Sequence, residues 1–370
     1  MAIPVRPEVG AIPPYVPGLS PAEVERQLGI SDVVKLASNE NPLGPSPLAV
    51  AAATRAAAQG HLYPEGTAPS LRRALAAAWG LEPDWFIVGN GSDEVFRLLA
   101  EAYLRPGDRV VVPTPGFAAY TIVARLMGAA VEPVPLTPDG AMDLPAMAAA
   151  AAGAGGRPPA RMVFLTRPNN PTGGVFSAES FARFLAEVPP ETLVVLDEAY
   201  REFDSTPFDA RRFLLAHPNL VVTRTFSKVY GLAGFRVGYG VGRPEVLAPL
   251  LTVRDPFSVS LIAQAAAEAA LADADHLSRS VALAREGRKF LADLCRELGL
   301  RYWPSEANFV LIDLGRPAAP VHQALLRRGV IVRPGGSFGL PTCIRVTVGT
   351  PEQNRRFAAA LRAVLGARAE

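Results

Sequence analysis

Short apolar runs alternate with helical stretches through the middle of the chain, from residue 85 onward. The runs are WFIVGN, RVVVP, AVEPVP, RMVFLT, TLVVLDEAY and NLVVTRTFSK. Strands that are apolar on both faces and separated by helices form largely parallel sheets, which helices cover on both sides. The pattern therefore predicts an α/β fold with a large, doubly wound, mainly parallel sheet domain over residues 45–270.

The two ends of the chain differ from this middle. Residues 1–44 start with a proline-rich stretch that predicts an extended, non-helical arm. Ser20, followed by Pro21 and Glu23, has the signature of a helix N-terminus. A helix is expected over residues 275–298, and after it strand, helix, strand, strand and helix are expected in NFVLIDL, VHQALLRRG, VIVRP, IRVTVGT and EQNRRFAAALRAVL. Residues 271–370 are thus predicted to form a smaller α+β domain, to which residues 1–44 add a part.

Charge and cysteine content narrow the possible partners and the compartment. The chain has 37 Lys and Arg against 35 Asp and Glu, so no overall basic field attracts nucleic acid or a membrane surface. Cys295 and Cys343 lack a C-x-x-C spacing, and the first residues lack a secretory signal pattern, so a cytoplasmic protein is expected. The four histidines are scattered, which predicts no metal site.

Lysine is scarce in this arginine-rich chain, where Lys35, Lys228 and Lys289 are the only three among 37 basic residues. Arginine is never deprotonated in proteins and cannot form an imine, so a remaining lysine is a candidate for chemistry that needs a primary amine. Lys228 directly follows a predicted strand, with Ser227 before it and Arg236 after it. This combination suits a phosphorylated aldehyde, with the lysine for the carbonyl group and the other two for the phosphate.

Polar residues follow three further predicted strands, at the edge where open α/β sheets bind ligands. Ser92 and Asp93 in GNGSDE stand at a helix start, where free amides can hold a phosphate, although a capped turn is the simpler interpretation of that segment alone. Asn170 in RPNNPTGG offers an amide donor, in a string that also suits a turn. Asp197 in VLDEAYREF is expected to be partly buried, so it either meets a positive partner or caps a turn.

Together and in this order, the motifs resemble the fold type I pyridoxal-phosphate (PLP) aminotransferases and, within them, the histidinol-phosphate aminotransferase subgroup. The resemblance extends from Tyr15 to the C-terminal helix and rests on KLASNENPLGPSP, HLYPEG, GNGSDE, RPNNPTGG, VLDEAYREF, TFSKVYGLAGFRVGYG, EANFVLI and GVIVRPGGSFGLPTCIRVTVGT. It implies a homodimer with PLP as cofactor. It also implies transamination of histidinol phosphate with 2-oxoglutarate in histidine biosynthesis.

The same resemblance implies a role for each matching residue. Lys228 would hold PLP as a Schiff base, Asp197 would pair with the pyridine nitrogen, and Tyr200 and Asn170 would contact the ring hydroxyl. The other cofactor residues would be Ser92, Asp93, Thr225, Ser227 and Arg236 around the phosphate, Phe117 against the ring where relatives often have tyrosine, and Tyr63 from the other subunit. The substrate-binding residues would be Tyr15, Asn39, Asn308, Arg333 and Arg345.

Alternative functions remain open at this point. An aromatic amino-acid aminotransferase or a phosphothreonine decarboxylase of the same fold would share the Lys228 site, because Arg333 and Arg345 can hold either a phosphate or a carboxylate. A nucleotide-binding oxidoreductase using GNGSDE and GYGVG is a remote alternative, since neither string has the full glycine spacing. A third alternative is a protein that binds PLP without catalysing a reaction.

Overall fold

The computed structural model describes residues 3–10, 12–14, 18–153 and 157–366. Its strands are β1 Val34–Leu36, β2 Phe86–Gly89, β3 Arg109–Thr114, β4 Ala130–Pro135, β5 Met162–Thr166, β6 Leu193–Asp197, β7 Leu220–Thr225, β8 Gly238–Gly242, β9 Arg301–Tyr302, β10 Phe309–Asp313, β11 Val330–Pro334 and β12 Cys343–Thr347. Its α-helices are α1 Pro7–Gly10, α2 Pro21–Leu28, α3 Pro47–Ala57, α4 Pro69–Trp79, α5 Ser92–Tyr103, α6 Ala118–Leu126, α7 Leu144–Ala152, α8 Ala178–Glu187, α9 Ala210–Ala216, α10 Pro244–Leu247, α11 Leu250–Val253, α12 Leu261–Leu271, α13 Ala274–Glu297, α14 Ala318–Leu326 and α15 Pro351–Gly366.

The larger sheet has seven strands in the spatial order β2-β8-β7-β6-β5-β3-β4. Its strands are parallel except β8, which is antiparallel to both of its neighbours. Val163 and Leu165 of β5 belong to the apolar core on one face, and Met162 and Phe164 to the core on the other. A mainly parallel sheet with a core on both faces confirms the predicted doubly wound α/β class.

The smaller sheet has five strands in the order β1-β11-β12-β10-β9. Only β1 and β11 are parallel to each other, and the other neighbouring pairs are antiparallel. Helices α13, α14 and α15 share an apolar core with this sheet. Because β1 precedes the larger sheet in the chain, the N-terminal segment supplies an edge strand to the smaller one. The predicted domain boundaries, between residues 44 and 45 and between residues 270 and 271, stay predictions.

The helix signals in the sequence are confirmed, with one correction. Ser20 Oγ accepts from Glu23 N at 3.2 Å, which caps α2. The expectation of a wholly non-helical start is wrong, because α1 forms over Pro7–Gly10. Proline is tolerated at the first helical position because its missing N–H is not needed there. No helix within the described ranges is long and apolar enough to cross a membrane.

Candidate active site

A cavity of about 780 Å³ lies beyond the carboxyl ends of β5, β6 and β7, a size that holds a cofactor and a small substrate. Most of the candidate site residues line it: Asn39, Ser92, Asp93, Phe117, Asn170, Asp197, Tyr200, Thr225, Ser227, Lys228, Arg236, Arg333 and Arg345. Parallel strands bring their carboxyl ends to one edge of the sheet, and β8, running the other way, begins at that edge just after Arg236. The topology therefore gathers residues that are far apart in sequence.

Two of the described candidate residues, Tyr63 and Asn308, do not line this cavity. The side chain of Tyr63 is 83% exposed, and its ring stacks on Phe257 with centroids 4.7 Å apart. Asn308 is buried behind the cavity wall, where its Nδ2 donates to the backbone oxygen of Asn39 at 3.0 Å. Tyr15 lies outside the described residues.

Asp197 is the last residue of β6 and is only 3% exposed. Its carboxylate accepts hydrogen bonds from the hydroxyl of Tyr120 at 2.6 Å, the backbone amide of Ala199 at 3.0 Å and the hydroxyl of Thr223 at 3.4 Å. These donors are all neutral. Burial raises the pKa of Asp197 to about 6, although these hydrogen bonds favour the ionised form. A cation reaching this carboxylate from the cavity would stabilise its charge.

Lys228 lies in the loop after β7, with its ammonium group in the cavity. Its Nζ donates to the backbone oxygen of Ser38 at 3.3 Å and lies 5.8 Å from the centroid of the Tyr200 ring. Burial, followed by the nearby charge of Arg345, lowers the pKa of Lys228 to about 8. A lysine of this kind is a better nucleophile and base at neutral pH than a surface lysine.

The N-terminus of α5 and the Arg236 side chain form a cradle for an anion. Ser92 begins α5, and Gly91 before it has a φ of +77°, where a Cβ would lie 2.5 Å from Arg236 Nη2. Arg236 donates to Ser227 Oγ at 3.4 Å and to the Asp93 carboxylate at 3.3 Å. Free helix amides, a guanidinium and a hydroxyl at one place are the usual components of a phosphate site.

Two arginines stand side by side in the smaller sheet, where Arg333 of β11 is the register partner of Arg345 of β12. Arg345 donates to Asn170 Oδ1 at 2.5 Å and to the backbone oxygen of Ala37 at 2.8 Å. The ring of Phe338 lies 6.0 Å from the guanidinium carbon of Arg333 and 5.4 Å from that of Arg345. Two neighbouring guanidinium groups suit a substrate with anionic groups.

Comparison with known proteins identifies the family. Residues 31–361 match the family model of aminotransferase class I and II. The chain belongs to this family. It is 64% identical over 362 residues to the histidinol-phosphate aminotransferase of Symbiobacterium thermophilum, covering 98% of this chain and 99% of the relative. The histidinol-phosphate aminotransferase of Moorella thermoacetica is 47% identical, with 97% and 92% covered.

Solved structures resemble this aminotransferase over nearly its whole length. The histidinol-phosphate aminotransferase of Sinorhizobium meliloti, in complex with pyridoxal-5'-phosphate, has a TM-score of 0.88 at 32% identity, with 99% of this chain and 98% of that one covered. The aspartate aminotransferase of Thermus thermophilus with maleate has a TM-score of 0.84 at 26% identity, with 98% and 100% covered. The protein is thus an enzyme that transfers amino groups, which sets aside the oxidoreductase and the non-catalytic module.

Three residues that the sequence did not single out hold candidate residues in place. Tyr120 holds Asp197, Ser38 holds Lys228 through its backbone oxygen, and Thr347 holds Asn39. Thr347 stands two positions after Arg345 on one strand, so alternation along the strand was a signal that it faces the same side. Tyr120, in the first turn of α6, had no such signal, because a buried aromatic residue on a helix is usually part of the core.

Proposed function

We propose that this aminotransferase uses PLP and exchanges an amino group between histidinol phosphate and 2-oxoglutarate in histidine biosynthesis. The observation that carries the proposal is the 64% identity to a histidinol-phosphate aminotransferase, which covers nearly all of both chains. The cavity supports it by bringing an amine, a buried carboxylate and an anion cradle together, as a phosphorylated aldehyde with a ring nitrogen requires.

The residues of the cavity fit PLP group by group. Lys228 is the amine for the aldehyde, and Asp197, whose hydrogen-bond donors are neutral, is the partner for a protonated ring nitrogen. The N-terminus of α5, including the backbone amide of Asp93, would hold the phosphate together with Arg236 and the hydroxyls of Ser227 and Thr225. The cradle is shaped by glycine, since a Cβ at Gly238 would lie 2.5 Å from the Ser92 amide nitrogen. Asn170 and Tyr200 would contact the ring hydroxyl, and Phe117 would lie against the ring.

In the reaction, the bound cofactor supplies an electron-withdrawing ring that stabilises the negative charge left when the substrate loses its α-proton. Lys228 Nζ carries that proton, because a pKa of about 8 lets it accept and release a proton near neutral pH. Asp197 would keep the ring nitrogen of the bound cofactor protonated through its opposite charge. Arg333, Arg345 and Asn39 would orient the substrate from the cavity wall, and Asn308 would act through the backbone oxygen of Asn39, to which it donates. The arginines would alternate between the phosphate of one substrate and the carboxylates of the other, and the substrate role of Tyr15 stays a prediction.

A donor screen with 2-oxoglutarate tests the substrate. Histidinol phosphate is expected to have a kcat/KM at least about 100-fold above that of phenylalanine, because a paired phosphate adds charge-assisted hydrogen bonds. Histidinol without its phosphate is the matched control and is expected to fall by a similar factor. Glutamate formation is measured, and phosphothreonine is assayed for carbon dioxide release. Turnover of phenylalanine without turnover of histidinol phosphate would overturn the proposed substrate.

The cofactor has its own test. Purified protein supplied with PLP should absorb visible light, and borohydride should fix the cofactor to Lys228, as peptide mass spectrometry detects. A protein that stays colourless after PLP is added would refute the proposed cofactor.

The rate at which the PLP-free protein captures PLP is expected to depend on the protonation of Lys228. With a pKa of about 8, about a tenth of the lysine is neutral at pH 7, against roughly one in three thousand for an ordinary lysine. Since only the neutral amine attacks an aldehyde, the rate should rise about tenfold per pH unit below pH 8 and level off above it. Rapid mixing monitored by visible absorbance checks this, with Nα-acetyl-lysine as the control. A protein rate still rising at pH 10 would contradict the lowered pKa.

We further propose a homodimer in which Tyr63 reaches the cavity of the other subunit. Tyr63 and Phe257 form an exposed stacked aromatic pair, and Leu62 beside them is 55% exposed, which is typical of a surface that another molecule covers.

Phe257→Asp is expected to shift the protein from dimer to monomer at micromolar concentration and to weaken PLP binding at least about tenfold. Sedimentation and a PLP titration measure the two effects. Leu215→Asp, an equally exposed leucine on α9, is the control and should stay dimeric; a dimeric Phe257→Asp variant would contradict the interface.

We also propose a cytoplasmic location. Cys295 and Cys343 are both buried free thiols, as is usual in a reducing compartment. Fractionation of cells producing the chain, with immunodetection, tests this, and recovery in an oxidising compartment would contradict it.

A further inference from the structure

Three consecutive residues after β1 each hold a different side chain of the site. The backbone oxygen of Ala37 accepts from Arg345 at 2.8 Å, that of Ser38 accepts from Lys228 at 3.3 Å, and Nδ2 of Asn39 donates to the hydroxyl of Tyr200 at 2.9 Å. The position of this short segment therefore affects the substrate arginine, the reactive lysine and the phenol together.

Thr347 fixes this segment from the smaller sheet. It is the last residue of β12 and only 3% exposed, and it lies two positions after Arg345, so both side chains are on the face toward the cavity. Its hydroxyl oxygen accepts from the backbone amide of Asn39 at 2.9 Å and donates to Asn39 Oδ1 at 3.1 Å. One hydroxyl thus holds both the backbone and the side chain of Asn39.

The protons in this network have one consistent arrangement. A backbone amide can only donate, so the Thr347 oxygen accepts there and its single proton goes to Asn39 Oδ1. This fixes the orientation of the Asn39 side-chain amide and turns its nitrogen toward Tyr200, to which it must donate. Asn39 has a φ of +57°, and Asn308 holds its backbone oxygen at 3.0 Å, so the backbone is fixed as well.

We propose that Thr347 is a positioning residue for transamination: by orienting the Asn39 amide, it makes the Tyr200 oxygen a hydrogen-bond acceptor and strengthens the hydroxyl of Tyr200 as a donor to the cofactor. A hydroxyl that accepts one hydrogen bond donates more strongly in the next, because linked hydrogen bonds polarise each other. The inference rests on the proposed function, in which Tyr200 faces the ring oxygen of PLP.

The test compares Thr347→Val, which keeps the shape and loses the hydroxyl, with Thr347→Ser, which keeps the hydroxyl, both in the full-length enzyme with PLP. The readout is the pH midpoint of the visible absorbance of the Lys228-bound cofactor. A weaker Tyr200 donor leaves more negative charge on the ring oxygen, so the neighbouring nitrogen keeps its proton to higher pH. The valine variant should shift the midpoint upward by about 0.5 pH unit or more, with kcat down about tenfold and KM for the amino donor within about threefold. The serine variant should stay within about 0.2 unit of the original protein.

A double-mutant cycle shows whether Thr347 acts through the phenol. In a Tyr200→Phe background, Thr347→Val should produce no further shift of the midpoint, since the group it acts on is gone. If Thr347→Val does not fold, Thr347→Ala removes the same hydroxyl, and the pH midpoint is measured on that variant instead. An unshifted midpoint, or an equal shift in both backgrounds, would overturn the inference while the coloured enzyme still supports the proposed function. A colourless unmodified protein would overturn both.

Discussion

Replacing Lys228 by alanine is expected to abolish transamination, with kcat lowered at least about 1,000-fold. Two tasks are lost together, the covalent attachment of the cofactor and the movement of the α-proton, and proton transfer alone contributes about 100- to 10,000-fold. Lys228 is the only lysine among the described residues that line the cavity. The neighbouring arginines cannot replace it, because a guanidinium group does not lose its proton in proteins.

The alanine variant should still bind PLP, since Arg236, Ser227 and the N-terminus of α5 remain to hold the phosphate. Fluorescence titration would detect this binding, and borohydride followed by mass spectrometry should find no covalent adduct. Lys289→Ala makes the same chemical change at an exposed position on α13 and should keep the original rate. If Lys228→Ala turned over at a rate comparable to the unmodified enzyme, the role assigned to Lys228 would be wrong.

The sheet and its most reactive residues could be predicted because the information is local in the sequence. Continuous apolar runs identified the parallel strands, and the residues that follow such runs necessarily meet at one edge of the sheet. Asp197 is the last residue of β6, and Lys228 and Asn170 lie in the loops that follow β7 and β5. The structure brings all three into one cavity. The helix-start pattern at Ser92 alone did not distinguish a phosphate site from a capped turn. The structure adds Arg236, which lies beside the N-terminus of α5 and comes from the loop before β8.

The remaining contacts could not be predicted because they join distant parts of the chain. Thr347 and Asn39 are 308 positions apart, and their contact depends on the strand order of the smaller sheet, in which only β11 separates β1 from β12. Tyr120 binds Asp197 across 77 positions, and nothing near it in sequence distinguishes it from a core aromatic residue.

Asp197→Asn is expected to lower kcat at least about 100-fold, because an amide of the same shape cannot keep the cofactor's ring nitrogen protonated. Tyr120 should continue to hold the side chain, since its hydroxyl lies 2.8 Å from Thr166 Oγ1 and can reverse its donor direction there. Spectra of the bound cofactor should therefore change while the fold is kept. Single-turnover measurements of the first half-reaction give the loss directly, and Asp32→Asn, at an exposed ion pair on the surface, is the control.

The same substitution should raise the thermal stability of the protein without PLP. Burial raises the pKa of Asp197 to about 6, so between its usual pKa and 6 the folded state binds more protons than the unfolded state, and stability falls as the pH rises. At pH 7 the carboxylate is ionised, and the full free-energy cost of burying its charge destabilises the folded state. The amide of asparagine is uncharged and has no such cost. The melting temperature at pH 7 is expected to rise by about 2–5 °C in Asp197→Asn, with a smaller difference at pH 4.5 where the carboxyl is largely protonated. A variant that is as active as the original enzyme, or one destabilised equally at both pH values, would show that Asp197 serves the fold rather than the cofactor.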